Sequence, residues 1–312
     1  MIYPWLNSQW QLLLKQQQQK CLPHALLLEG PQGLGKLALA ESLAELVLCE
    51  QSSDKACQYC RSCQLFAAAN HPDYFKITPE EEGKAIKIEQ IRELTAQLSQ
   101  CSHGSGYQVA IIAPAHKMNR SAANALLKTL EEPSGKVLII LVSDQTSFLP
   151  ATIISRCQRI PCGGHPLEAE AWLKAKISNP DELALLLEAS DYAPLRALDL
   201  AQLNYPALRA QLIDQLIALK KNQIDLLKVA LDWSKQDIPL LLSTLQMIML
   251  ELIRLNLNHT EHNSASLREL QGLATNSEWL KFLEKLQQTT ALCQAANNIN
   301  VQMALEALLV LA

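Results

Sequence analysis

The sequence predicts an α/β domain built on a mainly parallel sheet, followed by an all-helical region, and three observations carry that prediction. An apolar run at 25–28 passes through a glycine-rich turn into 37–48, where Leu and Ala recur at helical spacing. Two further apolar runs, 109–113 and 137–142, alternate with a helical pattern at 119–132 that Pro133 stops. From Pro206 onward the pattern changes to successive amphipathic helices, which reach the apolar-rich segment 303–311 after the polar stretch Asn297-Asn298-Ile299-Asn300.

The first turn is Gly30-Pro31-Gln32-Gly33-Leu34-Gly35-Lys36-Leu37, a phosphate-binding loop in the strand, turn and helix context that such a loop requires. Gly30, Gly33 and Gly35 let backbone N–H groups turn around an anion, the helix N-terminus favours negative charge, and Lys36 could reach β and γ phosphates. The position after the lysine should carry a hydroxyl for magnesium, and here it is Leu37. The second strand, 109–113, follows a turn at Gly104-Ser105-Gly106 and ends in Ala113-Pro114-Ala115-His116, where an Asp and a Glu would hold the metal and activate water. Three parts of one hydrolytic mechanism are missing together. The residues leave two readings open: a degenerate nucleotide site without turnover, or a plain glycine-rich turn that binds no nucleotide.

A chain of 312 residues is long enough for two or three domains. With 49% apolar and 19% charged residues, no apolar stretch is expected to be both long enough and uncharged enough to span a bilayer. The start, Met1-Ile2-Tyr3-Pro4-Trp5, lacks the basic and then apolar pattern of a signal peptide, so residence in the cytoplasm is expected. A net charge of −4 argues against a broad basic face gripping nucleic acid.

Cys57-Gln58-Tyr59-Cys60-Arg61-Ser62-Cys63 stacks two Cys-x-x-Cys steps, and Cys49 precedes them at the end of the loop's helix. Four thiolates suffice for a closed tetrahedral zinc site, structural and without a catalytic position, the alternative being four reduced thiols. Cys21, Cys101, Cys157, Cys162 and Cys293 are scattered through apolar or turn sequence and read as small buried hydrophobes. His259 and His262 fall in a polar stretch, 256–266, that reads as an exposed loop.

Parallel sheets bind ligands beyond the carboxyl ends of their strands, which places Ser143 and Asp144, after 137–142, near the nucleotide edge. Arg156 follows, between a short helix signal and the next apolar segment; by composition alone it is a surface arginine.

The loop, the four-cysteine module, Ala123-Asn124-Ala125-Leu126-Leu127-Lys128-Thr129-Leu130-Glu131-Glu132-Pro133 and Ser155-Arg156-Cys157 together resemble the delta-prime family of subunits of the bacterial DNA polymerase III clamp loader. The resemblance spans nearly the whole chain, and its motifs recur in the same order in the related gamma and tau subunits. Delta-prime differs by its non-hydrolysing site, in keeping with Leu37, Ala113 and Pro114. The resemblance implies an AAA+ P-loop domain with a parallel sheet at 1–162, carrying the zinc module at 49–63. It further implies a small helical lid at 163–206, beyond the Pro/Gly-rich boundary at 161–166, and an all-α collar domain at 207–312. Arg156 becomes an arginine finger that enters the ATP site of an adjacent gamma or tau subunit, an effect worth about 10³ to 10⁵ in rate in well-studied cases. Arg196 matches the lid arginine of the family and either senses nucleotide or holds the lid.

The implied function is the stationary, non-hydrolysing wall of a hetero-pentamer that also contains gamma or tau and delta subunits. That machine opens the sliding clamp and places it on primed DNA, to which this chain is connected through the complex, with no membrane partner. Structural zinc is the expected cofactor, ATP or ADP binding is weak or absent, and no intrinsic ATPase is expected of this subunit of the polymerase holoenzyme. The rivals are a gamma-like ATPase with a rearranged metal site and a zinc-stabilised adaptor in which nucleotide plays no part.

Overall fold

The structure, a computed structural model, describes residues 2–51, 54–81, 83–100, 102, 106–163, 166–177, 179–257, 265–295 and 300–310. Cys101, the turn residues Gly104 and Ser105, His259, His262 and the polar residues 297–299 lie outside the described residues. The chain forms two compact units, residues 1–199 and 200–312.

In the first unit, α1 (Asn7–Gln18) precedes β1 (Ala25–Glu29), α2 (Lys36–Leu48) and the short α3 (Arg61–Ala67). Next come β2 (Tyr74–Ile77), α4 (Ile88–Leu98), β3 (Tyr107–Ile112), α5 (Arg120–Glu131), β4 (Lys136–Ser143), α6 (Ala151–Ile154) and β5 (Gln158–Pro161). Helices α7 (Pro166–Lys174), α8 (Pro180–Ala189) and α9 (Pro194–Gln202) follow. Among the described residues, five strands make one sheet in the order β2-β3-β4-β1-β5, and every pairing is parallel.

Continuous apolar runs form the inner strands β1, β3 and β4, because both faces of the sheet are covered there. Successive side chains alternate sides. Leu26, Leu28, Val109, Ile111, Leu138 and Ile140 join the α1 and α2 side of the core, while Leu27, Ala110, Ile112, Ile139 and Leu141 join α4 and α5. Helix α5 starts where the Asn119 carboxamide accepts the Ala122 N–H at 2.8 Å, an N-cap that fixes its entry from β3.

The strands read from sequence are present, whereas β2 escaped that reading. It is a four-residue edge strand whose residues are half-buried apart from the exposed Lys76, so it lacks the apolar run that marks its neighbours. Helices α1 and α4 were missed too, although Ile91, Leu94 and Leu98 of α4 are spaced for one buried face.

The second unit comprises α10 (Tyr205–Lys220), α11 (Leu226–Trp233), α12 (Ile238–Leu257), α13 (Ala265–Gly272), α14 (Asn276–Ala295) and α15 (Val301–Leu309). Its core gathers Leu216, Trp233, Leu245, Ile248, Trp279 and Phe282. Polar ties cross that bundle as well: the Trp233 indole donates to Gln215 Oε1 at 2.6 Å, and Arg209 pairs with Glu251 at 2.5 Å. Helix α12 corrects one expectation. Its residues 238–255 are long and apolar enough to cross a membrane by length and composition. Leu241, Leu242, Leu245, Ile248, Met249 and Leu252 instead bury one face in the bundle, as a core helix does.

Candidate functional site

Strand order brings the ends of β1, β3 and β4 side by side, with Glu29 level with Ser143 and Ile112 level with Leu141. The glycine loop, Ala113-Pro114 and Ser143-Asp144 therefore open on one edge of the sheet, where parallel folds bind ligands. Lys36 begins α2 there and is almost wholly buried. Its ammonium donates to Gly30 O at 2.7 Å and Pro31 O at 2.5 Å and pairs with Asp144 Oδ1 at 2.7 Å. A lysine has three N–H donors, and these three acceptors match them in number. An incoming phosphate would compete with Asp144 for the charge.

Above the loop, the first turn of α9 lies directly on Gly33, whose carbonyl accepts the Leu195 N–H at 3.0 Å. A methyl group at Gly33 would stand 2.5 Å from the Arg196 backbone nitrogen. Gly35 lies equally close under the Tyr3 ring. Tyr3 stacks on Trp5 at 4.9 Å, Trp172 of α7 meets Trp5 edge-on at 5.3 Å, and the Trp5 indole donates to Leu34 O at 2.9 Å. Arg196 is thus brought to the loop through its backbone and Cβ. Leu37 packs against the apolar core, and Ala113 donates its N–H to Ile77 O at 3.0 Å. Beside them, burial pushes the His116 imidazole pKa down, partly opposed by Asp144; the ring Nδ1 accepts the Asp144 N–H at 3.4 Å.

A second cluster lies at the far end of α2, a helix of 13 residues or about 20 Å. Cys49 is its C-cap, and the sulfurs of Cys49, Cys57, Cys60 and Cys63 all lie within 4.8 Å of one another. Tetrahedral Zn–S bonds of about 2.3 Å imply sulfurs about 3.8 Å apart. Cys57 and Cys63 are at 3.9 Å. Backbone N–H groups point at the sulfurs: Cys57 to Cys49 Sγ and Cys60 to Cys57 Sγ at 3.3 Å, Cys63 to Cys60 Sγ at 3.4 Å. Burial raises the Cys60 thiol pKa, but N–H donation from Cys63 and Glu50 outweighs it and brings the value down to about 7. Burial pushes the Cys63 thiol strongly up, and the neighbouring Cys60 and Cys49 side chains add to the rise. The donor set fits a metal ion such as zinc.

Local spacing gave no sign of what braces this cluster. The Asp73 N–H donates to His71 Nδ1 at 3.1 Å, so the ring proton sits on Nε2 and faces Ser62 Oγ at 2.8 Å. Ser62 in turn donates to Leu48 O at 2.6 Å, closing a chain from the segment before β2 through α3 to the end of α2. The other cysteines divide: Cys157 and Cys162 are buried and Cys293 half-buried, but Cys21 is exposed just beyond α1, contrary to its reading as a buried hydrophobe.

Arg156 follows the α6 C-cap, Ser155, and is one-third exposed. Its guanidinium donates to Thr152 O at 2.9 Å and to Ser155 Oγ at 3.4 Å, and pairs with the Glu131 carboxylate at the end of α5.

A glycine loop joining β1 to α2, on a parallel sheet of this order, defines a P-loop domain of the AAA+ type followed by a helical region. A gamma subunit-related DNA polymerase III protein of Thermotoga maritima has a similar fold, with TM-score 0.50 at 20% identity over 96% of this chain and 97% of that one. The family described as DNA polymerase III, delta subunit, matches residues 5–163. DNA polymerase III subunit delta′ of Pseudomonas aeruginosa is 39% identical over 320 residues, covering 99% of this chain and 96% of that protein. Its counterpart in Yersinia pestis is 33% identical over 260 residues, covering 81% and 76%. The chain belongs to the DNA polymerase III subunit delta′ family.

Proposed function

We propose that this chain is the non-hydrolysing, stationary subunit of a DNA polymerase III clamp loader and that Arg156 acts in the ATP site of an adjacent gamma or tau subunit. The single observation that carries the non-hydrolysing part is the state of Lys36. Its ammonium is bonded to Gly30 O, Pro31 O and Asp144 inside its own chain, next to Leu37 and beside a strand end that offers Ala113 and Pro114 in place of carboxylates. With no hydroxyl at position 37 for magnesium, no carboxylate at the end of β3, and Asp144 engaged by Lys36, the loop lacks the usual groups that start hydrolysis.

The division of labour follows from the sequence segments. Residues 1–162 form the AAA+ domain, 163–206 a lid in which Arg196 holds the helix against Gly33, and 207–312 a collar that assembles with gamma or tau and delta subunits in a hetero-pentamer. Gly30, Gly33, Gly35 and Lys36 then serve as a degenerate nucleotide site. Cys49, Cys57, Cys60 and Cys63 hold structural zinc that stiffens α2 and α3. The sliding clamp and primed DNA are reached through the complex, in the cytoplasm. A guanidinium from Arg156 would stabilise charge developing on the phosphoryl group transferred in the neighbouring site.

The packing of Gly33 and Gly35 against protein favours a second reading, a zinc-stabilised adaptor in which nucleotide has no role anywhere near this chain. One experiment separates the two: DNA-stimulated ATPase of a loader reconstituted with wild-type chain or Arg156→Ala, with the isolated chain assayed alongside. An inactive isolated chain with a slowed but fully assembled variant complex supports the stationary catalytic partner. Undiminished turnover with Arg156→Ala leaves the adaptor, and an isolated chain that hydrolyses ATP would overturn the reading of Leu37, Ala113 and Pro114.

A further inference from the structure

We propose that Glu131 is a positioning residue that sets the direction of the Arg156 guanidinium, an inference that rests on the reading of Arg156 as a finger. Two of the acceptors around Arg156, Thr152 O and Ser155 Oγ, belong to its own short helix and the cap that ends it. These local bonds would let the arginine move with that four-residue helix. Glu131 is different, because it stands on α5 and ties the guanidinium to a second element of the sheet domain.

The place of Glu131 supports a dedicated role. It lies in the last turn of α5, where the helix dipole disfavours a carboxylate, and the exposed Glu132 beside it adds like charge. Lys128 shares that last turn, and Arg156 is the cation that pairs with Glu131 from beyond the end of α6. The pair is also open to an approaching surface, with Glu131 about half and Arg156 one-third exposed. A free arginine samples many rotamers and loses that freedom when it docks. Holding it from two elements beforehand removes this ordering from the step at the neighbour's phosphates.

The test uses the reconstituted loader and reads the Arg156-dependent part of kcat, the difference between wild-type and Arg156→Ala complexes. Glu131→Ala is expected to reduce that part about two- to fivefold, the scale of a partly exposed ion pair, with KM for ATP unchanged. Glu131→Gln keeps an acceptor oxygen at the same reach and is expected to fall between Glu131→Ala and wild type. Because Glu131 acts through Arg156, the double variant should be no slower than Arg156→Ala alone. Wild-type or faster turnover with Glu131→Ala, in a complex that Arg156→Ala slows, overturns the positioning role and leaves the finger standing. Further slowing in the double variant overturns it as well. If Arg156→Ala has no effect, it is the finger reading that fails. Should Glu131→Ala not assemble, a wild-type rate for Glu131→Gln is the overturning result.

Discussion

At position 33 the backbone φ is +87°, and a Cβ there would stand 2.5 Å from the Arg196 nitrogen. Both constraints come from the protein itself. Gly33→Ala is therefore expected to destabilise the chain by about 1–3 kcal/mol with no nucleotide present, the cost of holding an L-residue in a strained region plus displacing α9. Chemical denaturation measures it; unchanged stability would mean that α9 does not rest on the loop in solution. The same contacts give the loop glycines a packing role apart from any nucleotide: α9 and Tyr3 occupy the room that a side chain would need. From sequence the loop's identity was legible, because glycine spacing is local. The Lys36–Asp144 pair was not, because it joins residues 108 positions apart that meet only through the pairing of β1 with β4.

Among the elements, α2 links the two clusters, starting at Lys36 and delivering Cys49 to the sulfur site at its other end. α3 is capped by the Cys60 sulfur, which accepts the Cys63 N–H, so a metal at this cluster would also fix a helix terminus. Cys60→Ser is expected to abolish stoichiometric metal, read by elemental analysis against one ion per wild-type chain, and to lower Tm. A chelator should lower the wild-type Tm and leave the variant unmoved. Metal-free wild-type protein with the same Tm would show that the four sulfurs are plain thiols. The Cys-x-x-Cys steps made this cluster readable in advance, since turns bring such cysteines together without help. The brace through His71, Ser62 and Leu48 needed α2, α3 and the approach to β2 to be in place first.

Taken as a whole molecule, the first unit closes over its own phosphate loop through Tyr3, Trp5, Trp172 and Leu195. A ligand at 100 times its Kd would stabilise the fold by about 2.7 kcal/mol, enough to raise Tm by several degrees. Addition of about 1 mM ATP with magnesium is expected to leave Tm unchanged, because a nucleotide must first displace Asp144 and lift α9. A rise of several degrees would show that the pocket opens at modest cost. By itself the sequence determined the parallel sheet, the helical remainder, the loop with its missing hydroxyl and acids, and the four cysteines, since each is written in short-range periodicity or spacing. Only the tertiary structure decided that Lys36 is neutralised by Asp144, that α9 covers Gly33, and that Glu131 holds Arg156. Those contacts join elements far apart in the chain, and their geometry exists only once strand order and helix packing bring the ends of β1, β4, α5 and α6 together.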